Sequence, residues 1–85
     1  MAEVLVALRV MPKSVDVDLN ILEKKIKESV LPDRIEKTPI AFGIVAFNVM
    51  KFVPDDAKAL EDIESKLKAI DEVGEVEVIE VMRSL

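Results

Sequence analysis

The 85-residue sequence contains no cysteine, histidine, tyrosine or tryptophan. Without cysteine it can form no disulfide, thiolate metal site or thiol nucleophile. Without histidine it has no side chain whose unperturbed pKa lies between about pH 5 and 8. General acid–base catalysis would therefore need carboxylates or lysines with shifted pKa values. These absences disfavour an enzyme, a cofactor site or a metal site in this chain.

Long apolar runs are also missing, since none reaches the roughly 18 residues needed to span a bilayer. No segment places a basic face opposite an aromatic one, as a helix lying on a membrane would. The opening residues, MAEVLVALRV, alternate like a strand and lack the basic start of a signal peptide. These features predict a cytoplasmic protein with no membrane partner.

The charge balance is acidic, with a formal net charge of −5. Nucleic-acid modules are usually basic because neutralising phosphates supplies most of their affinity, so direct nucleic-acid binding is disfavoured. Hydrophobic residues nevertheless make up 51% of the chain, which argues against disorder. A chain of this length that folds forms one domain, and we assign residues 1–85 to it.

The first half of the chain predicts a strand, a helix and a second strand. Residues 3–11 alternate, and their second face is mixed rather than polar, which is typical of a central strand. Asp18, with Asp16 as a rival, is placed to cap a helix that Pro32 ends. Residues 33–38 are short and polar and favour an edge strand. The apolar stripe of the helix consists of Leu19, Leu22, Ile26 and Val30.

The second half repeats this order. Residues 44–53 are β-branched and aromatic on both faces and predict a second central strand. Asp55 or Asp56 would cap the next helix, and Gly74 would form its left-handed end. Residues 75–85 alternate as a strand but change parity near Val78 and Ile79, which predicts a bulge. The apolar stripe of this helix consists of Leu60, Ile63, Leu67 and Ile70.

The predicted order is therefore βαββαβ, and the two most apolar strands are the first and the third. The ferredoxin-like arrangement places those two strands in the middle of its sheet. We predict an α+β ferredoxin-like sandwich, with a four-stranded antiparallel sheet and two helices on one face.

Many functions use this fold, so function must be argued from particular residues. An RNA-recognition module would stack bases on aromatics of its central strands, where this acidic chain offers only Phe47 and Phe52 at odd spacing. A metal carrier would need thiols, and a phosphate-cleaving enzyme would need a basic cradle in place of the loop MPKSVDVD. Acidic pairs such as Asp55 and Asp56 favour helix caps and solvated helix faces.

Two features are harder to explain as ordinary structure. Phe42 lies in the turn-like segment TPIAFG, although the chain has only three phenylalanines. It could fold back into the core, or it could be an exposed aromatic anchor for a partner. The ending Met82-Arg83-Ser84-Leu85 could be a frayed strand end, or it could place a guanidinium and a terminal carboxylate in a partner's pocket.

Three segments carry a resemblance to a known family. VLVALRVMPKSVDVDLNIL, PIAFGIVAFNVM and VEVIEVMRSL resemble archaeal translation elongation factor 1-beta, and the resemblance covers essentially the whole chain. It implies a single guanine nucleotide exchange domain that promotes GDP release and GTP loading on elongation factor 1-alpha. That GTPase, and not this chain, would hold the nucleotide and the magnesium ion.

The resemblance also implies a set of partner-binding residues. In the eukaryotic relatives the phenylalanine of the corresponding turn contacts the GTPase, which points here to Pro39, Ile40, Ala41, Phe42 and Gly43. Their C-terminal end directs a penultimate lysine toward the magnesium site, which points here to Arg83, Ser84 and Leu85. This chain departs from that pattern, because its penultimate residue is Ser84 and the nearest cation is Arg83. On a strand, one position reverses the direction of the side chain.

A rival hypothesis from another class is a small ligand-sensing or dimerisation module on the same fold. Such a site would require glycine-rich loops, and the chain has only Gly43 and Gly74.

Overall fold

A computed structural model describes residues 3–83, and its elements follow the predicted order. They are β1 (Glu3–Pro12), α1 (Leu19–Val30), β2 (Arg34–Pro39), β3 (Val45–Pro54), α2 (Ala57–Lys68) and β4 (Val73–Arg83). The strands form one antiparallel sheet in the order β2-β3-β1-β4. The apolar strands β1 and β3 are central, which confirms the ferredoxin-like α+β fold.

The core lies between one face of the sheet and the two helices. Alternate residues of β1 are buried on that face, and Phe47 of β3 is fully enclosed. Buried aliphatic side chains of both helices complete the cluster, because each helix keeps its apolar stripe on one side. The buried members from β1 and the helices are Val4, Val6, Leu8, Val10, Leu22, Ile26, Val30, Ile63 and Leu67.

Both helices begin at aspartate caps. Asp18 accepts hydrogen bonds from the backbone N–H groups of Asn20 and Ile21, so the prediction of Asp18 over its rival is confirmed. For α2 the cap is Asp56, whose carboxylate accepts from the N–H of Lys58. The capping role of Asp56 leaves the neighbouring Asp55 available for another partner.

The predicted left-handed helix end at Gly74 is wrong. Helix α2 ends at Lys68, its cap Ala69 is right-handed, and Gly74 lies within β4. A Cβ added at Gly74 would lie 2.7 Å from the Cα of Lys13. The glycine is therefore needed because the chain leaving β1 passes directly over it.

The bulge predicted near Val78 and Ile79 is confirmed. In the pairing of β1 with β4, Ala7 lies opposite Glu80 and Leu8 opposite Val78, so Ile79 is the extra residue. The bulge lets Val78 and Val81, three positions apart, both pack against the core.

Candidate functional site

The predicted anchor Phe42 lies in a tight turn that joins β2 to β3. Ile44 donates its N–H to the carbonyl of Ala41, and Ile40 donates to the carbonyl of Ile44. Phe42 and Gly43 have φ values of 56° and 76°, and positive φ at both central positions defines a type I′ turn. Gly43 adopts this conformation easily, whereas Phe42 does so at a cost of about 1–2 kcal/mol.

The Phe42 side chain is almost completely exposed, at 96% of its full accessible surface. The alternative that Phe42 folds back into the core is therefore wrong. Its neighbours Pro39, Ile40, Ala41 and Gly43 are exposed as well, so the five turn residues predicted to bind a partner form one continuous tip. A strained backbone that exposes a large apolar ring suggests a functional site, because folding gains nothing from either feature.

The other predicted contact, Arg83, lies at the end of β4. Its Nε and Nη2 atoms lie 3.3 and 3.4 Å from the two carboxylate oxygens of Asp55, just before α2. The side chains remain exposed, at 65% for Arg83 and 41% for Asp55. Ser84 and Leu85, the remaining two predicted contacts, lie outside the residues that the structure describes.

A cavity of about 260 Å³ lies beside this ion pair. Its apolar part comes from β1, β3, α2 and β4, and Arg83 and Asp55 stand with Asp56 in its wall. The apolar residues that line it are Val4, Val6, Val53, Ala57, Leu60 and Val81. The Arg83 stem can therefore cover apolar surface while its guanidinium stays in water.

The structure does not bring the two predicted contacts together. The turn follows the Pro39–Val45 pair at one end of the sheet, whereas Arg83 pairs with Val4 at the opposite end. The ten residues of β3 separate these ends by about 30 Å. The longest dimension of the molecule is 42 Å, so any partner that touches both contacts must span most of its length.

Sequence reasoning considered Asp55 only as a member of an acidic pair and as an alternative cap of α2. A signal was nevertheless present, because Asp55 and Asp56 stand side by side where the helix needs one cap. Asp55, the carboxylate that does not cap the helix, binds Arg83, which is 28 positions away in the chain. Predicting this pair requires knowing that the end of β4 lies beside the start of α2, which the sequence alone does not show.

A second ion pair lies at the turn end of the sheet and joins α1 to the segment before β4. Lys25 Nζ lies 2.9 Å from each carboxylate oxygen of Glu72. This hydrogen bond raises the pKa of Lys25 above its ordinary value and lowers the pKa of Glu72. Lys25 is exposed and Glu72 is partly exposed, so the pair is a surface clamp of modest strength.

Comparison with known proteins identifies the family. A model of the EF-1 guanine nucleotide exchange domain matches residues 5–83. The chain belongs to this family. The match includes the turn, both helices and Arg83, so the exchange domain accounts for nearly everything that the structure describes.

Curated relatives of the exchange domain share its length. Elongation factor 1-beta of Methanosphaera stadtmanae is 42% identical over 86 residues, covering 98% of each chain. The protein of that name from Methanothermobacter thermautotrophicus is also 42% identical, over 88 residues and 98% of each chain. The one from Halobacterium salinarum is 41% identical over 98% of this chain and 99% of its own.

The family match confirms the function that the resemblance implied. The exchange domain is a guanine nucleotide exchange factor for elongation factor 1-alpha, and the ligand-sensing alternative is set aside. Within residues 3–83, no helix is both long and apolar enough to cross a membrane.

Proposed function

We propose that the domain, formed by residues 1–85, promotes GDP release by contacting elongation factor 1-alpha with both ends of its sheet. The turn Pro39–Gly43 docks on the GTPase through Phe42. The segment Arg83–Leu85 approaches the magnesium and phosphate environment of the bound nucleotide. The binding site for GDP, GTP and Mg²⁺ belongs to the partner, and the exchange domain binds neither nucleic acid nor a membrane. We expect it to act in the cytoplasm.

The observation that carries this proposal is the exposed Phe42 ring on its hydrogen-bonded turn. Aromatic side chains that fill a partner's pocket often dominate the energy of an interface. The tight turn holds this ring in place before binding, so little conformational entropy is lost when the ring docks. Such a preformed anchor fits a factor that must bind its partner and leave again in each cycle.

The thermodynamic basis is linkage between two ligands of one GTPase. A factor that binds the empty GTPase more tightly than the loaded one must weaken nucleotide binding by the same factor. A coupling of about 4 kcal/mol corresponds to about a thousandfold change in affinity. The factor accelerates release and does not change the final balance between GDP and GTP, because the factor itself dissociates unchanged at the end of each cycle.

The direct test follows release of a fluorescent GDP analogue from loaded elongation factor 1-alpha after excess GDP or GTP is added. The release rate should rise with the concentration of the exchange domain and then saturate. An unchanged rate at micromolar exchange domain would contradict the proposal. Bovine serum albumin at equal concentration controls for nonspecific effects on the fluorescence.

A further inference from the structure

We infer that Asp55 is a positioning residue for Arg83, and that the two side chains act on the GTPase as one unit. The inference rests on the proposed function, because it specifies how the Arg83 end of the sheet presents its cation. It concerns Asp55, a residue outside both predicted contact segments.

The direction of the contact leaves part of the Arg83 guanidinium group facing away from Asp55. Asp55 accepts from Nε and Nη2, which lie on one side of the planar guanidinium group. An arginine has five N–H donors, so a contact that uses two of them leaves three available. Those three lie on Nη1 and on the outer edge of Nη2. They face away from Asp55, where they can donate to a carboxylate or phosphate oxygen of the partner.

The secondary structure around Asp55 and the packing of Arg83 hold the pair in place. Asp55 follows the last residue of β3 and precedes the cap of α2, so the backbone on both sides belongs to regular structure. Arg83 is opposite Val4 in the sheet, and its side chain helps to line the apolar cavity. The carboxylate and the Arg83 stem therefore limit the positions open to the guanidinium.

Folding has little need for this contact. Exposed ion pairs contribute little to stability, and Asp56 already satisfies the start of α2. The role of the pair is to orient the guanidinium group of Arg83, and a lysine ammonium could not be oriented in this way. A lysine ammonium is a compact charge that cannot bind Asp55 through a fixed fork and present a second edge to another anion. The Asp55 contact thus explains how an arginine serves at this end of the sheet.

The test is a double-mutant cycle measured by nucleotide release from elongation factor 1-alpha. We expect Asp55→Asn to lower the maximal release rate about fivefold, while the half-saturating concentration changes less than about twofold. Arg83→Gln should lower the maximal rate at least as much. The double variant should be no slower than Arg83→Gln alone, because Asp55 acts only through Arg83.

Two further variants separate orientation from charge. Asp55→Glu keeps two carboxylate oxygens and should recover most of the rate. Arg83→Lys keeps the positive charge but loses the fork, and it should lose most of the rate. Glu64→Gln is the matched control, because Glu64 is an α2 carboxylate whose ion pair with Lys68 stays within the helix. Its release rate should equal that of the unmodified domain.

The outcomes distinguish this inference from the proposed function. If the unmodified domain does not accelerate release, the proposed function is wrong. If Arg83→Gln releases nucleotide as fast as the unmodified domain, the proposed role of the Arg83 end is wrong. If Arg83→Gln is slow but Asp55→Asn is normal, or if their effects multiply, only the inference about Asp55 is overturned. Should Asp55→Asn fail to fold, Arg83→Lys and Asp55→Glu decide the question.

Discussion

The two ends of the sheet present their proposed contacts by different physical means. At the turn end, backbone hydrogen bonds and two positive φ angles hold Phe42 outward. At the Arg83 end, a surface ion pair directs a flexible side chain. One contact is built into the backbone, and the other depends on side chains that can exchange partners.

This difference predicts different contributions to exchange. A preformed aromatic anchor contributes mainly to affinity. The conformational entropy of its turn is already lost on folding, so binding does not have to offset that loss. A guanidinium near the nucleotide contributes mainly to the rate, because it acts on the charges that hold GDP. The contributions of the two ends can therefore be distinguished by measuring binding and the maximal release rate independently.

The largest effect is expected for Phe42→Ala. Loss of a central aromatic anchor should weaken the complex by at least about 2 kcal/mol, or about 30-fold in affinity. The melting temperature should stay near that of the unmodified domain, since the ring contributes almost nothing to the core. Nucleotide release and thermal unfolding, measured on one preparation, check both statements.

Phe47→Ala provides the matched control for that prediction. Phe47 is fully buried, so its truncation should destabilise the fold by about 3–5 kcal/mol. A large fall in melting temperature for Phe42→Ala would mean that the two phenylalanines do not differ as described, and that Phe42 serves the fold.

Deletion of Arg83–Leu85 should have the next largest effect. We expect the maximal release rate to fall about tenfold, which corresponds to about 1.4 kcal/mol in the barrier. Binding to the GTPase should fall less, because the Phe42 turn is untouched. Stopped-flow release and a separate titration give the two values. An equal fall in both would show that the segment is only part of the docking surface.

A smaller effect of opposite sign is expected for Phe42→Asn. Asparagine tolerates the left-handed conformation better than phenylalanine, so the free energy of unfolding should rise by about 0.5–1 kcal/mol. Exchange activity should fall as it does for Phe42→Ala. Urea unfolding measures the gain, and unchanged or lower stability would show that the turn is not strained.

The smallest effect is expected for Glu72→Gln at the Lys25 clamp. The lowered pKa of Glu72 means that its charge stabilises the fold above the ordinary value of 4.5, and that this gain disappears as the pH falls through the folded value. The raised pKa of Lys25 means that its share is present below 10.5 and disappears as the pH rises through the folded value.

Glu72→Gln should therefore be slightly less stable than the unmodified domain at neutral pH, and the two should converge in acid. Thermal unfolding from about pH 3 to pH 9 would show this convergence. Glu64→Gln serves as the control, because its ion pair lies within one helix. A difference that persisted in acid would show that Glu72 acts by packing rather than by charge.

Much of the architecture followed from local patterns. The period-two strand Glu3–Pro12, the cap at Asp18 and the bulge at Ile79 each have a cause within a few residues of sequence. Gly74 was misassigned because its cause is not local. The close approach of Lys13 exists only once β1 and β4 are paired.

The candidate site also has features that the sequence predicts and features that it does not. The sequence could place Phe42 in a turn, but it could not say whether the ring points outward, since that depends on the φ angles of a closed hairpin. It could name Asp55 as acidic, but it could not pair Asp55 with Arg83. Their contact requires that the end of β4 and the start of α2 meet at one edge of the sheet.

The order of the elements, the central strands and the family can all be inferred from the sequence, because periodicity, caps and motifs involve residues that are close together in the chain. The folded structure was needed to establish that Phe42 is exposed and that the two proposed contacts lie at opposite ends of the sheet. It was also needed to show that Asp55 is hydrogen-bonded to Arg83. The exposure of Phe42 depends on the backbone angles of its closed hairpin. The other two facts depend on strand pairing, which joins residues that are far apart in the chain.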